Sequence, residues 1–204
     1  MHTRMKSDQR RAAIVAEAIR LFAEKGFRGT TTRELAAALD VTEPVLYQHF
    51  KTKRDLYTAI IETKAREGMA KSADLLRYLK GNDDRAFFSE LAELILDHFE
   101  QNPDYSRLLF FSALERHELA ALFFRDQVVQ FLNVVAGYIR RRGRRRGFRN
   151  VNPQVAARSF IGMVSYHGQL RLLFDAELNI SRKRLVDQIV TLFLDGLRAQ
   201  ECTA

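Results

Sequence analysis

The sequence predicts an all-α protein, and three observations carry that expectation. Only 3 prolines and 10 glycines punctuate 204 residues, so long helices are easy and a many-turned β architecture is not. Apolar residues recur at three- and four-residue steps from one end of the chain to the other. Hydrophobic residues make up 47% and charged residues 28%, enough to build a sizeable core and stay soluble.

The first helix is expected over residues 7–25, with Ile14, Ala18, Leu21 and Phe22 on one face and Gly26 as its stop. A second begins at Thr31, which forms a capping box with Glu34, carries Leu35, Ala36 and Leu39 inward and ends near Asp40. A third follows Thr42, read as its N-cap, with Pro44 in the first turn, where a missing N–H costs nothing. A fourth starts after Thr52, with Asp55 as capping partner, and runs past Leu75. Five more are expected near 84–101, 104–116, 118–142, 153–175 and 182–199, about nine in all, with Pro103 and Pro153 marking starts. The chain divides into an N-terminal three-helix domain, 1–52, and a larger helical domain, 53–204.

The net charge is +8, which favours a polyanionic partner. Seven arginines between Arg140 and Arg149 supply most of it. They would occupy every side of a helix, so the run reads as a solvated helix end rather than one basic face. The single cysteine, Cys202, excludes a disulfide framework and fits a reducing cytoplasm. The polar start carries no secretory signal, and no uncharged apolar stretch reaches the ~18–20 residues of a membrane span. His117-Glu118 opens a zincin-like string, but Ala121 stands where the second ligand belongs. No nucleophile elbow, phosphate loop or dinucleotide glycine pattern is present. No enzyme activity, cofactor, metal or membrane association is expected.

The informative stretch is 30–57. Two short helices joined by Asp40-Val41-Thr42 have the spacing of a helix-turn-helix. The turn forces one residue towards a left-handed backbone, which Asp tolerates better than most. The second helix buries only Leu46 and Phe50 and offers Glu43, Val45, Tyr47, Gln48 and His49. Such groups suit a major groove: Glu accepts from cytosine, Gln pairs with adenine, Val touches a thymine methyl. Lys51 and Lys53 flank the next helix N-terminus, a place favourable to phosphate.

The stretches Gly26-Phe27-Arg28-Gly29-Thr30-Thr31-Thr32-Arg33-Glu34-Leu35-Ala36 and Val41-Thr42-Glu43-Pro44-Val45-Leu46-Tyr47-Gln48-His49-Phe50-Lys51-Thr52-Lys53-Arg54-Asp55-Leu56 resemble the DNA-binding head of the tetracycline-repressor (TetR) family. The likeness covers about residues 10–60 and departs at Asp40, where the family usually has Gly. It implies a transcriptional regulator with a fold of helix-turn-helix head and variable helical domain. Thr31, Thr32 and Lys53 would touch phosphates; Thr42, Glu43, Pro44 and Val45 would approach bases; Tyr47, His49 and Lys51 would hold the backbone.

The resemblance further implies an effector and a homodimer. The stripes Val155, Phe160, Met163, Tyr166 and Leu185, Ile189, Leu192, Phe193, Leu197 suit a bundle shared across a two-fold axis, and two heads suit a palindromic double-stranded operator. Phe160, Met163, Ile189, Phe193 and Leu197 are the expected interface residues, with Gly162, Gly168 and Gly196 for close approach. A small apolar or amphipathic effector is expected among His98, Tyr105, Phe110, His117, Phe131, Asn133, Tyr138, Tyr166 and His167, which mix polar groups with apolar walls. The expected activity is repression relieved by that effector. Two alternatives stay open: a helix-turn-helix protein acting through protein partners without a ligand, and a DNA-packaging protein, which the mildly basic head disfavours.

Overall fold

The computed structural model describes residues 7–26, 28–71, 77–79, 81–144 and 148–198, without the side chains of 68–71. Phe27, the expected continuation of the fourth helix to Leu75, part of the arginine run (145–147) and Cys202 lie outside the described residues. The described regular structure is helical, apart from one isolated backbone bridge between Phe148 and Arg198. The helices are α1 (Ser7–Lys25), α2 (Thr32–Ala38), α3 (Glu43–His49), α4 (Lys53–Lys71), α5 (Asp84–Gln101), α6 (Pro103–Leu114), α7 (Glu118–Phe123), α8 (Val129–Arg144), α9 (Pro153–Phe174) and α10 (Arg182–Leu197). A π-helical turn, Phe124–Val128, joins α7 to α8. The expected single helix over 118–142 is therefore one run with a wider turn inside it.

Helix ends follow local chemistry. Thr31 and Glu34 form the expected capping box on α2, and Asp83, Asn152 and Ser181 cap α5, α9 and α10 through their side chains. Each satisfies an N–H that the helix itself leaves without a partner.

The chain packs as two compact units. The first comprises the residues up to Glu67 together with Pro103–Phe124; the second comprises Gly68–Asn102 and the chain from Arg125 onwards. The expected boundary after residue 52 does not coincide with a break in packing. Leu56, Tyr57, Ile60 and Ile61 of α4, with Tyr105 and Leu108 of α6 and Leu119 of α7, share one core with Ile14, Ala18 and Phe22 of α1. The three helices of the head cannot cover both sides of α1, so α4, α6 and α7 complete its core.

The second unit is built on α5, α8, α9 and α10. Phe87, Phe88, Leu91, Val135, Ala157, Phe160, Val190 and Leu194 are sealed in its core. By length and composition alone, Glu118–Arg144 is apolar enough to cross a membrane, which the sequence reading did not anticipate. The Arg125–Asp126 ion pair lies within it, and Leu132, Val135, Ala136, Tyr138 and Ile139 belong to the core of the second unit.

Candidate nucleic-acid interface

The loop leading into α2 is pinned from inside. Thr30 is buried and its hydroxyl donates to the Gly26 carbonyl at 3.0 Å, with the Leu21 carbonyl an alternative acceptor at 3.3 Å, closing the end of α1. Gly26 itself adopts φ 71°, a left-handed turn that glycine enters without strain. In the capping box, Glu34 accepts from the Thr31 N–H at 2.9 Å while Thr31 Oγ1 accepts from the Glu34 N–H at 3.2 Å. Lys25 also donates to Glu34, at 2.9 Å. The Lys25 ammonium, then the Thr31 groups, hold the Glu34 carboxyl down to about 2, because each bond favours the charged form.

The turn between α2 and α3 is a Schellman motif. The Val41 N–H bonds the Ala36 carbonyl at 3.0 Å and the Asp40 N–H bonds the Ala37 carbonyl at 3.2 Å. Asp40 takes the left-handed position expected of it, at φ 51°. Thr42 departs from expectation: its backbone is that of an N-cap, but its side chain makes no capping bond. Its carbonyl accepts from Val45 and Leu46 instead.

Helix α3 stands on Leu46 and, just beyond its end, Phe50, both buried in the head core. Pro44, Tyr47 and Gln48 are exposed, as are Thr31, Thr42 and Lys51; Thr32, Glu43, Val45, His49 and Lys53 are half-buried. Thr32 Oγ1 donates to Glu43 Oε2 at 2.7 Å, and Lys53 Nζ donates to the Thr30 carbonyl at 3.0 Å. Thr52 and Asp55 form the second expected capping box, with bonds of 2.9 and 3.1 Å.

Sequence reasoning missed Arg11. Its guanidinium donates to the His49 carbonyl at 3.1 Å and lies 4.3 Å from the centre of the Phe50 ring. A cation there satisfies a carbonyl at the end of α3 and opposes the negative end of its dipole. Nothing local marks this arginine out, since its partner is 38 residues away.

The expected effector residues divide between the two units. Tyr105, Phe110 and His117 belong to the first unit; His98, Phe131, Asn133, Tyr138, Tyr166 and His167 belong to the second. Two have structural roles that sequence did not reveal. His117 caps α7, its Nδ1 accepting from the Leu119 N–H at 3.2 Å, and its ring meets Tyr57 edge-on at 4.8 Å. Burial pushes its pKa down, in keeping with a neutral ring that accepts. Tyr138 stacks on Phe87 at 3.8 Å and donates to Asp84 at 2.7 Å, and burial raises its pKa. Tyr105 is buried edge-on to Phe123; Phe131 packs against the second core. Asn133 is exposed and accepts from Gln154 at 2.9 Å. Tyr166 is exposed, with His167 beside it at 6.4 Å; His98 meets Phe99 edge-on at 5.6 Å, and Phe110 is half-buried.

The expected interface residues need correction. Phe160, Ile189, Phe193 and Leu197 are buried in the core of their own chain. Phe88, Phe160 and Phe193 form an aromatic cluster with ring centres 4.8–4.9 Å apart, so none is available to a partner; Met163 packs against the same core. The outward members of the two stripes are Val155 (60% exposed), Tyr166 (58%) and Leu192 (69%). A Cβ at Gly162 or Gly196 would meet nothing within 4 Å, whereas Gly168 packs against Phe99 of its own chain.

The arginine run is likewise not wholly solvated. Arg142 grips Asp84 through two bonds of 2.7 and 2.8 Å, and Arg141 donates to the Gly81 carbonyl at 3.4 Å. Arg140, Arg144 and Arg149 are exposed.

Among the described residues, no group of three or more His, Cys, Asp or Glu is placed to hold a metal. The arrangement is a short, firmly seated helix presenting hydrogen-bonding groups outward, which suits reading base edges.

Comparison with known proteins agrees. Residues 14–60 match the family model for bacterial regulatory proteins of the tetR family, and residues 86–196 match that for the C-terminal domain of AefR-like transcriptional repressors. The transcriptional activator FasR of Mycolicibacterium smegmatis is 29% identical over 107 residues, 52% of this chain and 48% of that one. The chain thus spans about half the length of this relative. A TetR family regulator from Pseudomonas syringae superposes with a TM-score of 0.70 at 20% identity, covering 96% of this chain and 100% of the other. AibR, solved with isovaleryl coenzyme A and operator DNA, superposes at 0.66 and 23% identity, covering 90% and 97%. With family models matching more than half of its length, this chain belongs to the TetR family of bacterial regulatory proteins.

Proposed function

We propose that this regulator is a cytoplasmic homodimer that holds a palindromic operator with two copies of α3 and releases it when a small apolar or amphipathic effector binds. The observation that carries the dimer is the outward face of α9 and α10, where Val155, Tyr166 and Leu192 lie exposed beside the open Gly162 and Gly196. One chain leaves this apolar face uncovered, and a second copy related by a two-fold axis would cover it. Thr42, Glu43, Pro44, Val45 and Gln48 would meet base edges; Thr31, Tyr47, His49, Lys51 and Lys53 would hold phosphates. The effector reading draws support from AibR, whose structure holds isovaleryl coenzyme A with operator DNA. Repression is favoured by the match to AefR-like repressors.

The test is fluorescence anisotropy of the purified protein on DNA from upstream of its own gene, with a salt series and scrambled competitor. Binding that survives competitor at two protomers per site, and is weakened by acyl compounds or aromatic drugs, is expected. Sequence-blind binding that collapses with salt would refute the operator reading. Sequence-specific binding that no compound weakens, together with capture of a protein partner, would favour the ligand-free alternative.

A further inference from the structure

Thr32 opens α2 and Glu43 opens α3, 11 residues apart in sequence, yet their side chains meet across the helix-turn-helix. The Thr32 hydroxyl donates to Glu43 Oε2 at 2.7 Å in a half-buried setting. Thr32 is itself held on both sides. The capping box of Thr31 and Glu34 fixes the first turn of α2, and Lys53 ties the preceding loop to α4 through the Thr30 carbonyl. Among the described residues, the Glu43 side chain forms no other hydrogen bond or ion pair.

We propose that Thr32 is the positioning residue for base reading by Glu43. Its hydroxyl engages one carboxylate oxygen and leaves Oε1 to accept from a single amino group, that of a cytosine presented in the major groove. A hydroxyl has one proton to donate. Donating it to Glu43 leaves none for a phosphate oxygen, so this role replaces the phosphate contact that resemblance implies for Thr32. The bond also removes rotamer freedom from Glu43 before DNA arrives. That ordering cost is then not subtracted from base discrimination. The inference rests on α3 being the base-reading helix.

The experiment uses the full chain as wild type, Thr32→Val, Thr32→Ser, Glu43→Ala and the Thr32→Val/Glu43→Ala double variant. Wild type selects its site from a pool of randomised duplexes, and anisotropy then compares that site with its single-base alternatives across a salt series. Wild type is expected to prefer one C·G pair per half-site by about tenfold. Thr32→Val reduces that preference to about twofold without changing the salt slope, Thr32→Ser retains it, and Thr32→Val adds nothing once Glu43 is alanine. Circular dichroism confirms that each variant is folded, and Thr32→Ala is read in the same way should the valine variant melt below assay temperature. Equal weakening on every base, with a salt slope lower by about one phosphate, overturns the proposal in favour of a backbone contact. Discrimination that survives Thr32→Val intact, or fails in Thr32→Ser, also overturns it. A wild type that selects no sequence refutes the reading of α3 itself, a different outcome from any of these.

Discussion

Two helical glycines should respond to alanine with opposite signs. Gly168 is buried in α9, and a Cβ there would lie 2.6 Å from Phe99 Cγ and 3.0 Å from its Cε2. Ordinary Cβ contacts are 3.4–4 Å, so the rigid ring must move or α5 and α9 must part. Alanine strengthens the helix by ~1 kcal/mol relative to glycine, but overpacking of this kind costs ~1–3 kcal/mol. The net expectation for Gly168→Ala is a loss of about 1 kcal/mol, a fall in Tm of roughly 2–4 °C for a chain of this size. At Gly137 in α8 a Cβ meets nothing within 4 Å, so Gly137→Ala keeps the propensity gain and should melt a few degrees higher. The assay is thermal denaturation followed by circular dichroism at one fixed protein concentration, since association would raise Tm by mass action. A Gly168→Ala protein melting at or above wild type would refute the steric argument, as would a Gly137→Ala protein melting below Gly168→Ala.

Three further expectations concern the head and the proposed dimer face. Asp40→Val places a β-branched residue at φ 51°, which should cost ~1–2 kcal/mol in urea unfolding; unchanged stability would mean that the turn relaxes elsewhere. Glu34, lowered from 4.5 to about 2, contributes stability that is present above its unfolded pKa and lost as pH falls through the folded one. The stability difference between wild type and Glu34→Gln should therefore shrink between about pH 4.5 and pH 2, and a difference constant over that window would contradict the capping role. Leu192→Glu, on an outward face, should leave the far-ultraviolet spectrum intact while halving the mass by sedimentation and weakening operator binding. An unchanged mass would remove α9 and α10 as the dimer face.

Much of the head was legible from sequence because its signals act within one helical turn. Both capping boxes, the stop at Gly26, the left-handed Asp40 and the Leu46 and Phe50 anchors depend on neighbours no more than about four residues apart. Helical periodicity likewise determined the fold class and placed α5, α6, α9 and α10 to within a few residues. Tertiary structure alone decided which edge of each apolar stripe turns inward. The α9 and α10 stripes are wide enough to face both a core and a partner, so Phe160 and Phe193 could not be told from Tyr166 and Leu192 until α5 and α8 took one side. The same holds for polar groups with distant partners: Tyr138 finds Asp84 54 residues away and Arg11 finds the His49 carbonyl 38 away. A cap is an interaction between neighbours in the chain, whereas these pairings exist only after the helices have packed.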